Sequence, residues 1–257
     1  MPIPLILEKH LMIFIFVFVR LGGMMAVAPL FSRKDIPAQV RVFLAVALAL
    51  LLTPTQLDTA LPNPQGVIEF ALLAGGEFFV GIVLGLGLMI LIQGMGLAGE
   101  LISRISGIGM NDVYDPTSET EVTGMSQFIM TVGLVTFLCF SGHRALIAGL
   151  LESYRELPIG KTFQSQEVVS LLMAMLQSSF ILAIRVAAPA MAALLVVTLV
   201  LGLISRTIPQ VNLLMLGFGL NGLAAFGLVL LTVGITTGVF EHELVSALDQ
   251  LFPWGFE

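Results

Sequence analysis

The chain has little charge. Of its 257 residues, 11% are Asp, Glu, Lys or Arg, against roughly 25% in an average soluble domain. Hydrophobic residues make up 57%, and the mean hydropathy is +1.03. A soluble surface needs charge, and a chain of this length cannot hide so large an apolar share in one core. An ordinary soluble enzyme is therefore excluded, and so is a disordered chain. Cysteine occurs once, as Cys139, which excludes a disulfide scaffold. Cys139 lies in the apolar run Val135–Phe140 and reads as a packing residue, because a reactive thiol needs an accessible, electropositive setting. Basic residues are outnumbered, 11 against 17 acidic, and the net charge of -6 argues against a nucleic-acid partner. The histidines His10, His143 and His242 form no His-x-x-x-His pair and no cluster with the cysteine, so neither a metal site nor a bound cofactor is expected. Ser141-Gly142-His143 sets a serine beside a histidine, but no Gly-x-Ser-x-Gly elbow frames it, and no phosphate-binding glycine loop occurs. The chain reads as a non-enzymatic integral membrane protein, or as a subunit buried in a membrane-associated assembly.

Long apolar runs are what the sequence does have. Charged residues separate six of them: Leu11–Leu30, Val42–Leu57, Gly66–Ile102, Val122–Gly142, Val168–Ser205 and Thr207–Phe240. A spanning helix needs about 20 residues for a ~30 Å hydrocarbon core, so the expectation is an all-α chain of about six hydrophobic segments in long helical hairpins. The third and fifth runs are too long, since each as one helix would reach well over 50 Å, and tilt absorbs only part of that. Either they break, with Gly94, Gly96 and Gly99 or Pro189 as the weak points, or they extend out of the lipid against protein. If the segments alternate, one side receives Arg33, Lys34, Arg41, Arg104 and Arg206, and the other Lys9, Arg144, Arg155 and Lys161. That is almost no positive-inside bias, which is unusual for a chain simply threaded through a bilayer.

The N-terminus has the outline of a signal peptide, with Lys9 and His10 before Leu11–Val19 and with Ala26-Val27-Ala28 as a cleavage-like site. Arg20 interrupts the run and Pro29 would follow the scissile bond, so the segment reads as a retained helix. The stretch Ser103–Glu121 is the most polar, with Arg104, Asp112, Asp115, Glu119 and Glu121, and its Gly107 and Gly109 argue against regular helix throughout. Its Gly/Met run is compatible with an ordinary surface loop and with a pore plug between long helices. Ser32–Val40 and Ser205–Val211 echo each other around Ile-Pro and lie between apolar runs. They mark bends of helical hairpins, or a chance match. Gly81-x-x-x-Gly85 and Gly234-x-x-x-Gly238 are signals for close helix packing.

Arg20, Glu77, Glu100 and Arg185 are ionisable groups in or beside apolar runs. Such groups cost ~2.5 kcal/mol or more at membrane depth. They either relay ions or protons, or pair across helices as structural groups. A six-helix secondary transporter is the competing class, but both arginines lack an acidic neighbour in sequence and no paired motif for ion coupling is visible.

The order and spacing of landmarks then match a known family. Arg20, Pro29, Phe31, Ile36-Pro37 and Val40-Arg41 look like its first hairpin, and Glu77, Gly81 and Gly85 like its third segment. Ala98-Gly99-Glu100-Leu101-Ile102, Gly107 and Asp115-Pro116 look like its central loop. Gly142-His143, Leu157-Pro158-Ile159-Gly160, Pro189 and Leu201–Arg206 with Pro209-Gln210 look like the remainder. The chain resembles the FliR family of flagellar and type III secretion export gates. The resemblance implies a FliP-like part over residues 1–165 fused to a FliQ-like hairpin and tail over residues 166–257. It implies a hetero-oligomer with FliP and FliQ, FlhB at the entrance, and a place in the bacterial inner membrane within the flagellar basal body. Unfolded rod, hook and filament proteins would be the cargo. The central loop, about residues 103–121, would plug the closed pore through Ile105, Ser106, Gly107, Ile108, Gly109, Met110 and Asn111. Arg20, Glu77, Glu100, Asp115, Arg185 and Arg206 would serve structure or assembly. Many relatives carry Gln-Met-Gly where this chain has Ile105-Ser106-Gly107, and Arg104 adds a charge there.

Overall fold

A computed structural model describes residues 3–29, 31, 36–57, 62, 64, 66–108, 123–161, 165–207 and 213–251. The described chain is all-α: α1 Ile3–Val27, α2 Ala38–Leu52, the short 3-10 turn Thr53–Gln56, α3 Val67–Ser106, α4 Gly124–Cys139, α5 Gly142–Glu156, α6 Ser165–Thr207 and α7 Leu213–Leu251. Among the described residues, five helices are long and apolar enough to cross a membrane, or six if α4 and α5 count as one bent span. Of the echoed Ile-Pro stretches, the first runs into α2 at Ala38 and the second begins in the last turn of α6, its Ile208-Pro209 lying outside the described residues.

The two over-long runs do not break. At 1.5 Å per residue, the 40 residues of α3 reach ~60 Å and the 43 of α6 reach ~64 Å. Pro189 sits inside α6, where its missing N–H leaves the Arg185 carbonyl without its usual helical partner. The helix continues past it. Gly94, Gly96 and Gly99 do not interrupt α3 either. They are sites of close approach: a Cβ at Gly94 would lie 2.7 Å from the Ser179 carbonyl oxygen, and one at Gly99 2.5 Å from Ser126 Cα.

The fourth run, Val122–Gly142, holds one helix, α4, and ends where α5 begins. Ser141, between the two helices, takes a left-handed φ of 57°. α5 is also the helix with clearly separated faces, burying Leu146, Leu150 and Tyr154 while Arg144, Arg155 and Glu156 are exposed. Its first turn holds His143.

Two compact units form. The first comprises Met1–Ile90, Ser141–Met175 and Ala247–Glu257, and the second Leu91–Phe140 and Leu176–Ser246. The core of the first is built on Ile13, Phe16, Val17, Leu21 and Met24 of α1 with Val80, Leu84 and Leu88 of α3. The second buries Leu91, Ile92, Met95 and Ile102 of α3 with Ile129 and Phe137 of α4 and Leu182, Ala187 and Leu194 of α6.

Candidate functional site

In the first unit, glycines let α1 and α3 meet backbone to backbone. A Cβ at Gly81 would fall inside the Arg20 carbonyl oxygen, and one at Gly85 would lie 2.7 Å from the Met24 carbonyl oxygen. On α1, a Cβ at Gly23 would overlap the Phe78 carbonyl oxygen. This is the geometry that Gly81-x-x-x-Gly85 signals in sequence. Among the described residues, no atom outside the local helix backbone lies within 4 Å of where a Cβ would stand on Gly234 or Gly238 of α7.

That crossing brings together two of the singled-out charges. Arg20 Nε donates to Glu77 Oε2 at 2.6 Å, and both side chains are fully enclosed. Arg20 Nη1 donates to Ser153 Oγ at 3.1 Å, and Nη2 donates to the Leu157 carbonyl at 2.9 Å. The guanidinium carbon lies 4.0 Å from the centre of the Tyr154 ring, a cation–π contact. Glu77 Oε1 accepts the Gly160 N–H at 2.8 Å, and Gly160 holds a left-handed φ of 90°. Arg20 therefore meets the C-terminal end of α5, where the helix dipole favours a cation. Glu77 satisfies the backbone of the turn that follows. The pair binds α1, α3 and the exit of α5 into one clamp. Both charged side chains are fully enclosed, so neither is open to water.

In the second unit, Arg185 of α6 pairs with Glu243 of α7 through Nη1 and Oε1. Here the arginine side chain is 55% exposed, so the pair is more weakly enclosed than the first. Glu100 accepts from Arg104 Nε at 2.9 Å and from Thr123 Oγ1 at 3.4 Å. Thr123 in turn caps α4 by accepting the Ser126 N–H at 3.2 Å. Ser126 Oγ donates to the Gly96 carbonyl at 2.7 Å. The last turns of α3 and the start of α4, which bracket the central loop, are thus pinned to each other.

Of the loop residues, Ile105 is exposed in the last turn of α3 and Ser106 is buried. Gly107 leaves the helix with a left-handed φ of 77°. Ile108 is half-buried. Gly109, Met110, Asn111 and Asp115 lie outside the described residues. Arg206 is exposed in the last turn of α6. Cys139, read from sequence as packing, is exposed near the end of α4. Among the described residues, no group of three His, Cys, Asp or Glu side chains could hold a metal ion.

Residues 11–247, a stretch that contains both charged pairs and the central loop, match the family described as bacterial export proteins, family 1. The chain belongs to that family. It is similar to the flagellar biosynthetic protein FliR of Bacillus subtilis (strain 168), with 28% identity over 93% of this chain and 92% of the relative. The protein of that name from Aquifex aeolicus (strain VF5) is 28% identical over 89% of this chain and 87% of the relative. The one from Escherichia coli (strain K12) is 27% identical over 91% and 85%. The resemblance drawn from the landmark residues therefore holds over most of the chain.

Two partners in this export protein escape a reading of sequence alone. Glu243 follows the charge-free run of α7, and it is among the first acidic groups available to neutralise Arg185. That order was a usable signal. Ser153 carries none, because a serine on an amphipathic helix is ordinary until an arginine from 133 residues away reaches it.

Proposed function

We infer that this chain is a subunit of a flagellar protein export gate. The family match over residues 11–247, together with relatives that bear the FliR name across nearly their full length, carries the reading. In this proposal it joins FliP and FliQ in the inner membrane, inside the basal body, to form the channel for unfolded rod, hook and filament proteins. FlhB sits at the entrance. Residues 1–165 play the FliP-like part and residues 166–257 supply the FliQ-like hairpin and tail. The protein works as a channel component without catalysis of its own. Arg20, Glu77, Glu100, Asp115, Arg185 and Arg206 hold its fold and its assembly. The loop from Ile105 to Asn111 plugs the closed pore.

Two results test this. Purified with its co-expressed sister subunits, the chain should run in a complex far heavier than itself. A monodisperse monomer that binds a small solute alone would overturn the gate and favour a secondary transporter. Deleting residues 107–111 should make the closed assembly conduct ions, and unchanged bilayer conductance would remove the plug from the proposal. The enclosure of Arg20 and Glu77 weighs against the transporter, since neither charge is accessible to a solute.

A further inference from the structure

In the first unit, α2 and the 3-10 turn that continues it run from Ala38 to Gln56. α2 packs on α1, and the residues it buries are Ala45, Ala49 and Leu52. Their i, i+4, i+7 spacing makes one stripe. The opposite stripe is exposed and bulky. It carries Val40, Phe43, Leu44, Leu50 and Leu51, with Phe43 74% exposed, and Ala47 lies exposed at its middle.

Small side chains inward and large ones outward suit a helix that meets protein on one side and lipid on the other, because close backbone approach needs small residues. No glycine occurs from Ala38 to Gln56. The outer face therefore offers a second helix none of the close approach that glycines give where α1 crosses α3.

Length, charge and hydrogen bonding agree with lipid. The 15 residues of α2 and the 4 of the turn reach ~30 Å, which is the thickness of the hydrocarbon core. No charge occurs from Val42 to Leu57. A cation stands at each end. Arg41 lies near the start of α2, and the exposed Lys9 of α1 donates from Nζ to the Leu57 carbonyl at 2.6 Å. Long basic side chains at such ends place their charge among headgroups while their stems cover apolar surface. The hydroxyls near the C-terminal end need no water, as a bilayer requires. Thr53 Oγ1 donates to the Ala49 carbonyl at 2.6 Å, and Thr55 Oγ1 donates to the Leu52 carbonyl at 2.7 Å. The ~64 Å of α6 has no such fit.

We propose that the outer face of α2 is covered by lipid. Acyl chains meet Phe43, Leu44, Leu50 and Leu51, and phosphate headgroups of the two leaflets meet Arg41 and Lys9. α2 then fixes the depth of this chain in the membrane. The inference needs a bilayer around the chain and does not rest on the proposed gate.

The test uses the complex purified with its co-expressed sister subunits, in phosphatidylcholine–phosphatidylglycerol vesicles. Nitroxide labels are placed singly on Phe43→Cys, Ala47→Cys and Leu51→Cys, in a Cys139→Ala background with the sister subunits' cysteines replaced. Electron paramagnetic resonance reads collisions with oxygen, which concentrates among acyl chains, and with a nickel chelate, which stays in water. Oxygen access should exceed nickel access at all three sites. The ratio should peak at Ala47, which stands ~6 Å deeper than either flanking site. Nickel access at Ala47 would put the face in water. Labels that neither reagent reaches would put it against protein. Either result overturns the proposal, and the mass of each labelled complex checks its assembly. A second measurement needs no substitution. Phosphatidylcholine with a diazirine on its acyl chain is photolysed around the wild-type complex, and adducts should map to residues 42–52. Adducts elsewhere in the complex with none in that stretch also overturn it.

Discussion

Breaking the Arg20–Glu77 clamp should cost far more than removing the pair whole. Both side chains are fully enclosed. Glu77→Gln leaves the guanidinium with its contacts to Ser153 and Leu157 but with no counter-charge. Stranding one partner of a buried pair costs ~3–5 kcal/mol, which is a factor of roughly 150 to 5,000 in the equilibrium. Arg20→Met strands the carboxylate in the same way and removes the partner of the Leu157 carbonyl. The double variant Arg20→Met/Glu77→Leu strands no charge. What remains is the cost of leaving the Leu157 carbonyl and the Gly160 N–H without their partners, ~1–3 kcal/mol for a buried group and less where water reaches. Both residues are only half-buried. The double variant should therefore be more stable than either single variant, with a coupling energy of at least ~2 kcal/mol. Denaturant titration of the detergent-purified complex gives the global energies, and hydrogen exchange at Leu157, Ile159 and Gly160 gives the local effect. Additive single and double variants, within ~0.5 kcal/mol, would refute the clamp as a coupled unit.

Gly81→Val should block the approach of α1 to α3, because its Cβ would collide with the Arg20 backbone. A loss of at least ~1–3 kcal/mol is expected, whereas Gly75→Ala, in open space on the same helix, should be neutral or stabilising by up to ~1 kcal/mol; thermal melting of the complex separates the two. Ser141→Gly should relieve the left-handed strain at the α4–α5 bend by ~1 kcal/mol and raise the melting temperature. Glu243→Gln should cost no more than ~1 kcal/mol, because its Arg185 partner is largely exposed. A loss as large as that from Glu77→Gln would show that the second pair is enclosed in the assembly.

The helical class was legible because it depends on apolar run length, which charges punctuate. Which charges meet was not. Arg20 and Glu77 are 57 residues apart, and Arg185 and Glu243 are 58 apart. No local spacing rule reaches that far, and only the helix crossings bring them together. Glycine was the residue most open to misreading. Each glycine inside a helix costs ~1 kcal/mol against alanine, so Gly94, Gly96 and Gly99 look like breaks. In place, the missing Cβ at Gly94 admits α6 and the one at Gly99 admits α4, and packing outweighs the local penalty. The left-handed turn at Ser141 had no such signal. A serine carries no preference for left-handed backbone, so the residue types did not mark it as the turn between α4 and α5.

Length decides what the exposed apolar surface means. The ~64 Å of α6 would need a tilt of about 60° to fit a ~30 Å hydrocarbon core, beyond the 0–40° that spanning helices adopt. Yet large apolar side chains are exposed along almost all of it, from Val169 and Met173 through Phe180 and Ile184 to Leu199 and Leu203. Lipid can cover only about 20 residues of an upright helix. The rest of that surface is stable in water only against protein, since each fully buried side chain of this size contributes ~1.5–3 kcal/mol. α6 carries a single interruption by charge, at Arg185, between its first and last turns. Whichever side of Arg185 lies in lipid, the other side still presents exposed apolar residues. A single chain in a bilayer leaves that requirement unmet, and a ring of sister subunits, as the proposed gate supplies, meets it.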